Sequence, residues 1–301
     1  ADSYLLINYL KKNKINFNHI IADGGKKKQE TIFKNLKNPL LRYYYFGYDK
    51  TYLDLFKKIQ KSLQKINTKY VYFLDQGDYL NFNQVIKSAK FLDVNKNYSC
   101  SIGKIFNFKY LKNRMIIIGQ LYTEKKYCKN KIVFKRLIEN FHFRSYHALH
   151  KTKILKNSIS IIVKFKLLEP RTAEFIIDSN NLINGNTHTL ENTILLHNAT
   201  SAKGGGPSLH KKYTTRQIWY GTYFKNKINK ILKNLFKLNK LKTNNNELRK
   251  IHDLFYKYDI LHNSQALLNN NIFKRIKKRI NLILFKDNYL KLFLKELNAK
   301  L

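Results

Sequence analysis

The acidic residues best placed to do chemistry sit where apolar runs stop. Ile20-Ile-Ala-Asp23 is followed by Gly24-Gly25, and Tyr70-Val-Tyr-Phe-Leu-Asp75 by Gln76-Gly77-Asp78. Short apolar runs closed in this way read as strands ending in tight turns. In an open α/β sheet, ligands sit beyond the carboxyl ends of the strands, which is where these turns fall. A carboxylate there can accept hydrogen bonds from a base or ribose, or ligate a hard divalent cation that neutralises a diphosphate. A single strand-end Asp more often just caps a turn or helix. Two such sites in one sheet, in this order, shift the balance toward a ligand.

The elements that must position these residues alternate along the first part of the chain. Spacing predicts an amphipathic helix over 4–12, a strand at 19–22, a helix from Gln29 to Leu36, and a strand over Arg42–Phe46. A helix from Tyr52 to Ile66, a buried strand from Tyr70 to Leu74 and a helix from Asn83 to Leu92 follow. This is the pattern of a mostly parallel sheet with flanking helices. Further on, 101–108 and 115–121 pair as antiparallel strands around a turn at 109–114. Lys131–Asn140 is helical, and His147–Leu155 runs from strand into helix. Glu174–Ile183 is a helix stopped at Asn184-Gly185, and Thr193–Leu196 is a strand before the Gly-rich loop 202–208. From about Arg216 the chain reads as Lys-rich helices with Asn-rich breaks.

Composition narrows the class of protein. A hydrophobic fraction of 44% supports a sizeable core. No apolar run approaches the ~20 residues of a membrane-spanning helix, and the first ten residues lack the features of a signal peptide. The two cysteines, Cys100 and Cys128, form neither a metal spacing nor a disulfide framework, which fits a reducing, cytoplasmic setting. The net charge of +39 raises the question of a polyanionic partner. Of the 58 basic residues nine are Arg, and Arg is the preferred reader of base edges and phosphates. Lys, Asn, Ile, Phe and Tyr share A/T-rich codons, so genome composition is the leading explanation of the surplus. Nucleic acid is the least favoured partner.

The segment Ile20-Ile-Ala-Asp-Gly-Gly25 resembles the strand and turn of family-two-type glycosyltransferases with the GT-A fold. Tyr70-Val-Tyr-Phe-Leu-Asp-Gln-Gly-Asp78 resembles their strand ending in an Asp-x-Asp-Asp cluster. Ser99-Cys-Ser-Ile-Gly103, Tyr146-His-Ala-Leu-His-Lys-Thr152, and Glu174 before Gly185 resemble later landmarks of bacterial members that build surface polysaccharides. The resemblance implies a Rossmann-like GT-A domain over 1–215, with 216–301 a basic helical extension. It implies that Asp23 contacts the nucleotide base, Asp75 faces the ribose and diphosphate, and Asp78 lies near the metal or the sugar. Glu174 becomes the candidate general base for an acceptor hydroxyl, and His197 approaches the diphosphate or metal. His147 and His150 are given no role.

The implied activity is an inverting transfer of a sugar from a nucleotide-sugar donor to a hydroxyl of a glycan or lipid-linked acceptor. Residues 272–285 place Ile272, Ile276, Ile280 and Leu284 on one helical face among lysines and arginines. Such a helix either packs on the main domain or lies on an anionic membrane surface at the inner face of the membrane. Two departures from the family pattern stand out. Gly77 replaces the middle Asp of the cluster, which is expected to weaken or abolish binding of a divalent cation, Mn²⁺ or Mg²⁺. The chain also opens at the helix that follows the family's first strand. A weakened relative that binds nucleotide or sugar without turnover therefore stays open beside the active transferase.

Overall fold

The computed structural model describes residues 17–35, 37–111, 114–121, 132–139, 145–167, 170–198 and 222–254. The helices expected over 4–12 and 272–285 lie outside them. The order of elements is β1 (His19–Asp23), α1 (Glu30–Lys34), β2 (Leu41–Tyr45), α2 (Tyr52–Gln64), β3 (Tyr70–Tyr72), β4 (Tyr79–Leu80) and α3 (Phe82–Val94). It continues with β5 (Tyr98–Leu111), β6 (Arg114–Leu121), α4 (Val133–Glu139), β7 (Leu149–Lys151) and α5 (Thr152–Lys164). The last named elements are α6 (Pro170–Asn184), β8 (Asn186–Asn198) and α7 (Thr222–Leu238), before a helical stretch at 245–254.

Strands β1 and β2 form a parallel pair of their own. The other six strands form one sheet in the order β3-β7-β5-β8-β4, with β6 paired to β5. Within it β5 and β8 are parallel, whereas β3–β7, β4–β8, β5–β6 and β5–β7 are antiparallel. The mostly parallel sheet expected from the sequence is thus corrected to a mixed one. The alternation of helix and strand holds as a parallel crossover for β1, α1 and β2, whereas β3 opens the other sheet and pairs antiparallel with β7. Strands β3 and β7 are three residues long and β4 only two, too short for a pairing direction to show in the sequence. An antiparallel strand also needs no crossover helix to announce it.

Strand β3 lies at an end of the sheet rather than within it, yet both its faces are covered. Val71 and Phe73 pack against one apolar cluster, and Tyr70, Tyr72 and Leu74 against another. The period of two in a pleated strand sends alternate side chains to opposite faces, which explains the continuous apolar run. The first cluster is built by α2, α5, α6 and α7, through Phe56 and Leu63, Leu155 and Ile159, Ile176 and Ile177, and Leu232 and Leu235. The second joins α3, through Val85 and Leu92, to β5 and β8. Helix α2 starts cleanly because Thr51 and Asp54 form a reciprocal capping box.

Buried polar braces tie the helices to the sheet. Asp178 on α6 accepts from Ser145 N at 2.6 Å and from Ser145 Oγ at 2.7 Å. Asn181 Nδ2 donates to Ser145 Oγ at 2.8 Å. Arg136 on α4 donates to the carbonyl oxygens of Leu182 and Ile183, satisfying acceptors left open at the end of α6. Gly185 then allows a close chain crossing: a Cβ there would stand 2.7 Å from Asn97 O and 2.9 Å from Ser99 N.

Two outcomes follow from this packing. Leu235 on α7 is fully buried in the first cluster, so Leu235→Ala should cost about 2–5 kcal/mol in urea denaturation, as a core residue does. A loss under half a kcal/mol would mean that α7 is not part of the cooperative unit. Burial holds the imidazoles of His150 and His188 down at about 4. Their folded values lie below the unfolded value of ~6.5, so the unfolded state binds more protons in between and stability is lost as pH falls from ~6.5 toward 4. The urea midpoint of His188→Gln should therefore fall less steeply over that range than that of the unmodified chain.

Candidate functional site

Strand register brings the strand-end acids to their partners. Tyr79 of β4 lies opposite Leu196 of β8 in an antiparallel pairing, so the preceding Asp78 comes opposite the following His197. His197 Nδ1 lies 3.0 Å from Asp78 Oδ2, and Asn198 N donates to Asp78 Oδ1 at 2.8 Å. The side chain of Asp78 is wholly buried, and both of its oxygens are engaged. The hydrogen bond makes Nδ1 of a neutral His197 the donor and leaves Nε2 with its lone pair. In the same sheet Tyr72 of β3 lies opposite Leu149 of β7. Continued by two residues, that register sets His147 beside Leu74 and next to Asp75.

The turn between β3 and β4 requires its glycine. Asp78 N donates to Asp75 O at 3.2 Å, closing a four-residue turn. Gly77 occupies the third position with φ +85°, while Gln76 is not among the residues of positive φ, the arrangement of a type II turn. A Cβ at Gly77 would also stand 2.9 Å from Asn198 Nδ2. A side chain at the middle position of the family pattern would thus be strained by this backbone conformation.

Burial and charge set the protonation of the group. Desolvation pushes the carboxyls of Asp75 and Asp78 up from the usual range, and the adjoining His197 pulls both back in part. Burial alone would lower His197, but its bond to Asp78 and the charges of Asp78 and Asp75 outweigh this and raise it. Burial holds His147 down at about 4, so its ring is neutral at neutral pH. Its Nδ1 is buried with no hydrogen-bond partner. Asp75, His147 and His197 each bring one ligand atom within 4.8 Å of the others. Ligands ~2.1 Å from an ion stand ~3.0–3.5 Å apart, so side-chain movements of about an ångström close this set around a divalent cation. A carboxylate and two imidazoles, one of them with an orphaned ring nitrogen, fit such an ion.

Glu174 belongs to the same neighbourhood. It lies half-buried near the start of α6, a helix that begins at Pro170 rather than at Glu174 itself. After burial, the charges of Glu174 and Asp75 are what raise the hydroxyl of Tyr52. Tyr146 is raised well above the usual range by burial and then by Asp75, Glu174, Tyr52 and Asp78. The two tyrosines are therefore within electrostatic reach of both Glu174 and Asp75. Tyr72, whose buried hydroxyl has no partner, is raised by burial and the charges of Asp78 and Asp75.

Asp23 is placed elsewhere, at the end of β1 in the parallel pair. It accepts from Gly25 N at 2.7 Å and from the Tyr43 hydroxyl. Burial, with the bond to Asp23, pushes Tyr43 up to about 12. Beside it Lys58 pairs with Asp49 over Gly24, where a Cβ would collide with both side chains. The residue that sequence reasoning missed is His147. It stands 50 positions from His197 with no ligand spacing, and only the β3–β7 register brings it to Asp75.

No family model matches the chain. Its fold is similar to that of S. aureus TarS residues 1–349. The TarS crystal structure in complex with UDP-GlcNAc superposes with a TM-score of 0.53 at 15% identity, over 84% of this chain and 67% of that one. The TarS structure without the ligand gives a TM-score of 0.52 at 13% identity, over 90% and 71%. The GT-A resemblance read from the sequence therefore holds at the level of fold. An alignment over 177 residues, covering 53% of this chain, is 27% identical to the DNA-directed RNA polymerase subunit beta'' of Marchantia polymorpha and spans 12% of that protein.

The turn gives a direct outcome. Gly77→Ala forces a side chain into the left-handed region and should cost about 1–3 kcal/mol, read as a lower urea midpoint. Gly77→Asn, which tolerates that region better, should recover part of the loss. A neutral alanine variant would show that the turn is not fixed as described.

Proposed function

We propose that this chain binds a nucleotide-sugar and transfers the sugar to a hydroxyl acceptor, with inversion at the anomeric carbon. The observation that carries the reading is the gathering of Asp75, Asp78 and His197 at one end of the sheet, with Glu174 within electrostatic reach. The likeness in fold to TarS, a protein crystallised with UDP-GlcNAc, supports it.

In this reading Asp75, His147 and His197 hold a divalent cation, Mn²⁺ or Mg²⁺, which when bound neutralises charge on the diphosphate of the donor. Asp78 does not touch substrate; it fixes the ring of His197. Glu174 accepts the proton of the acceptor hydroxyl as its oxygen bonds to the anomeric carbon, and the bond to the diphosphate breaks with its electrons on the leaving phosphate oxygen. The hydroxyls of Tyr52 and Tyr146, raised by burial and the nearby carboxylates, stay protonated. Asp23 with Tyr43 forms the base-recognition end.

The domain over 1–215 carries the donor site, and 216–301 is the basic extension. A glycan or lipid-linked acceptor at an anionic membrane surface, met from the cytoplasmic side, is the setting this implies. The exposed Lys230, Lys233 and Lys237 of α7 offer the matching charge. Surface-glycan synthesis is the role such an acceptor would give the enzyme.

Calorimetry with UDP-, GDP-, CDP- and dTDP-sugars, with and without Mn²⁺, tests the donor site, and absence of any nucleotide binding would sink the reading. Glu174→Gln should lower the transfer rate by about 10²–10⁴-fold while leaving donor affinity within a few-fold. An unchanged rate would remove Glu174 from the role of base.

A further inference from the structure

One polar row crosses three strands at the level of the site. Tyr79 and Leu80 of β4 lie opposite Leu196 and Leu195 of β8, and Ile105, Phe106 and Asn107 of β5 lie beside Leu195, Leu196 and His197. Residues paired across neighbouring strands share a face, and successive residues along a strand alternate faces. Tyr79, Leu196, Phe106 and Phe108 pack together in one apolar cluster. Asp78, His197 and Asn107 therefore form a row on the opposite face. On the far side of β5, Asn107 is paired with Gly119 of β6, so no side chain from that position meets it.

Within this row Asp78 and His197 are bound to each other. Asn107 is not so engaged: its Oδ1 is buried and has no hydrogen-bond partner. A buried amide is seldom left this way, because an unmet acceptor keeps the penalty of losing water. Packing gives no reason for an amide here, since the adjoining Ile105, Phe106 and Phe108 are all buried in apolar clusters. A leucine would fill a similar volume without that penalty. The position has the mark of a group that a ligand completes.

The chemistry of that ligand follows from the amide and its place. A carboxamide offers Oδ1 as acceptor and Nδ2 as donor, which matches hydroxyl groups; an ionised phosphate takes donors only. In the reading above, the adjoining His197 serves the diphosphate of the donor. A group one strand spacing further along the sheet, ~4.8 Å, is placed to meet the sugar bonded to that diphosphate. We infer that Asn107 is a specificity-determining residue that hydrogen-bonds a hydroxyl of the transferred sugar. The inference rests on the transferase reading and adds to it the side chain that distinguishes the sugar-bearing donor from the bare nucleotide.

The test is calorimetry of the full chain and of Asn107→Ala with UDP-, GDP-, CDP- and dTDP-sugars and with the matching free nucleoside diphosphates. The donor that the unmodified chain binds should bind the variant about tenfold more weakly, as loss of one hydrogen bond in a desolvated site does, while its free diphosphate stays within about twofold. Monodeoxy analogues of that donor give a second reading. The one lacking the contacted hydroxyl should lose about tenfold on the unmodified chain and nothing further on Asn107→Ala. Asn107→Leu needs no ligand: its urea midpoint should equal or exceed that of wild type, because an unmet buried acceptor is removed. A clear fall in that midpoint, equal weakening of sugar and diphosphate, no weakening of either, or analogues that act alike on both proteins would each overturn the inference and leave the transferase reading standing. Binding of neither class of ligand by the unmodified chain would overturn the transferase reading, and the inference with it.

Discussion

The interaction on which the site depends is the buried pair between Asp78 and His197. Strand β4 is only two residues long, and alone it would hold nothing. It is fixed because Asp78, wholly buried, accepts from His197 Nδ1 and from Asn198 N at the end of β8. A carboxylate stripped of water is costly unless its lone pairs are used, and these two bonds use one on each oxygen. Breaking either would leave an uncompensated buried charge, a far larger loss than the net value of an exposed pair. The position of β4 and the aim of the His197 ring are therefore one constraint.

That constraint reaches back into the chain through the turn. Asp75 and Asp78 are joined by a single backbone hydrogen bond across Gly77. With Asp78 pinned to β8 and β3 paired to β7, Asp75 is held from both sides. The second anchor is the α6 face, where Asp178 and Asn181 grip Ser145 and so fix the start of the segment leading to His147. Glu174 projects from the same helix one turn earlier. One rigid helix thus sets both a ligand-bearing segment and the candidate base, which is how a site gains precision from packed elements rather than loops.

Much of this was legible in the sequence, and the limits have physical causes. The apolar run 70–74 and its acidic end are strong signals because a strand covered on both faces leaves no polar positions. The helix read over Tyr52–Ile66 from its apolar spacing was equally clear, and the structure places it at Tyr52–Gln64 behind a Thr51–Asp54 capping box. The strand running into a helix over His147–Leu155 was legible as β7 and α5, but the two-residue β4 was not. Strands this short leave no period from which to read a pairing direction, so the sheet was read as mostly parallel. Gly77 was legible only as a missing carboxylate; its positive φ is a property of the turn. His147 could not be found at all, because its role follows from a cross-strand register between residues about 75 positions apart.

The exchange of a carboxylate for an imidazole has an electrostatic logic of its own. Asp75 and Asp78 already share a poorly hydrated region, where desolvation pushes both toward the neutral form and the charge of Asp75 pushes Asp78 further the same way. A third carboxylate at position 77 would add like charge beside these two and favour uptake of protons by the group. Neutral imidazole escapes this. It supplies a lone pair without adding negative charge, and burial keeps His147 unprotonated at neutral pH. A bound divalent ion would favour the ionised form of both carboxylates and the unprotonated form of both rings, against the upward shifts that Asp75, Asp78 and His197 show without it. The glycine turn and the second histidine are then two halves of one arrangement, in which donor count is kept while buried charge is not increased.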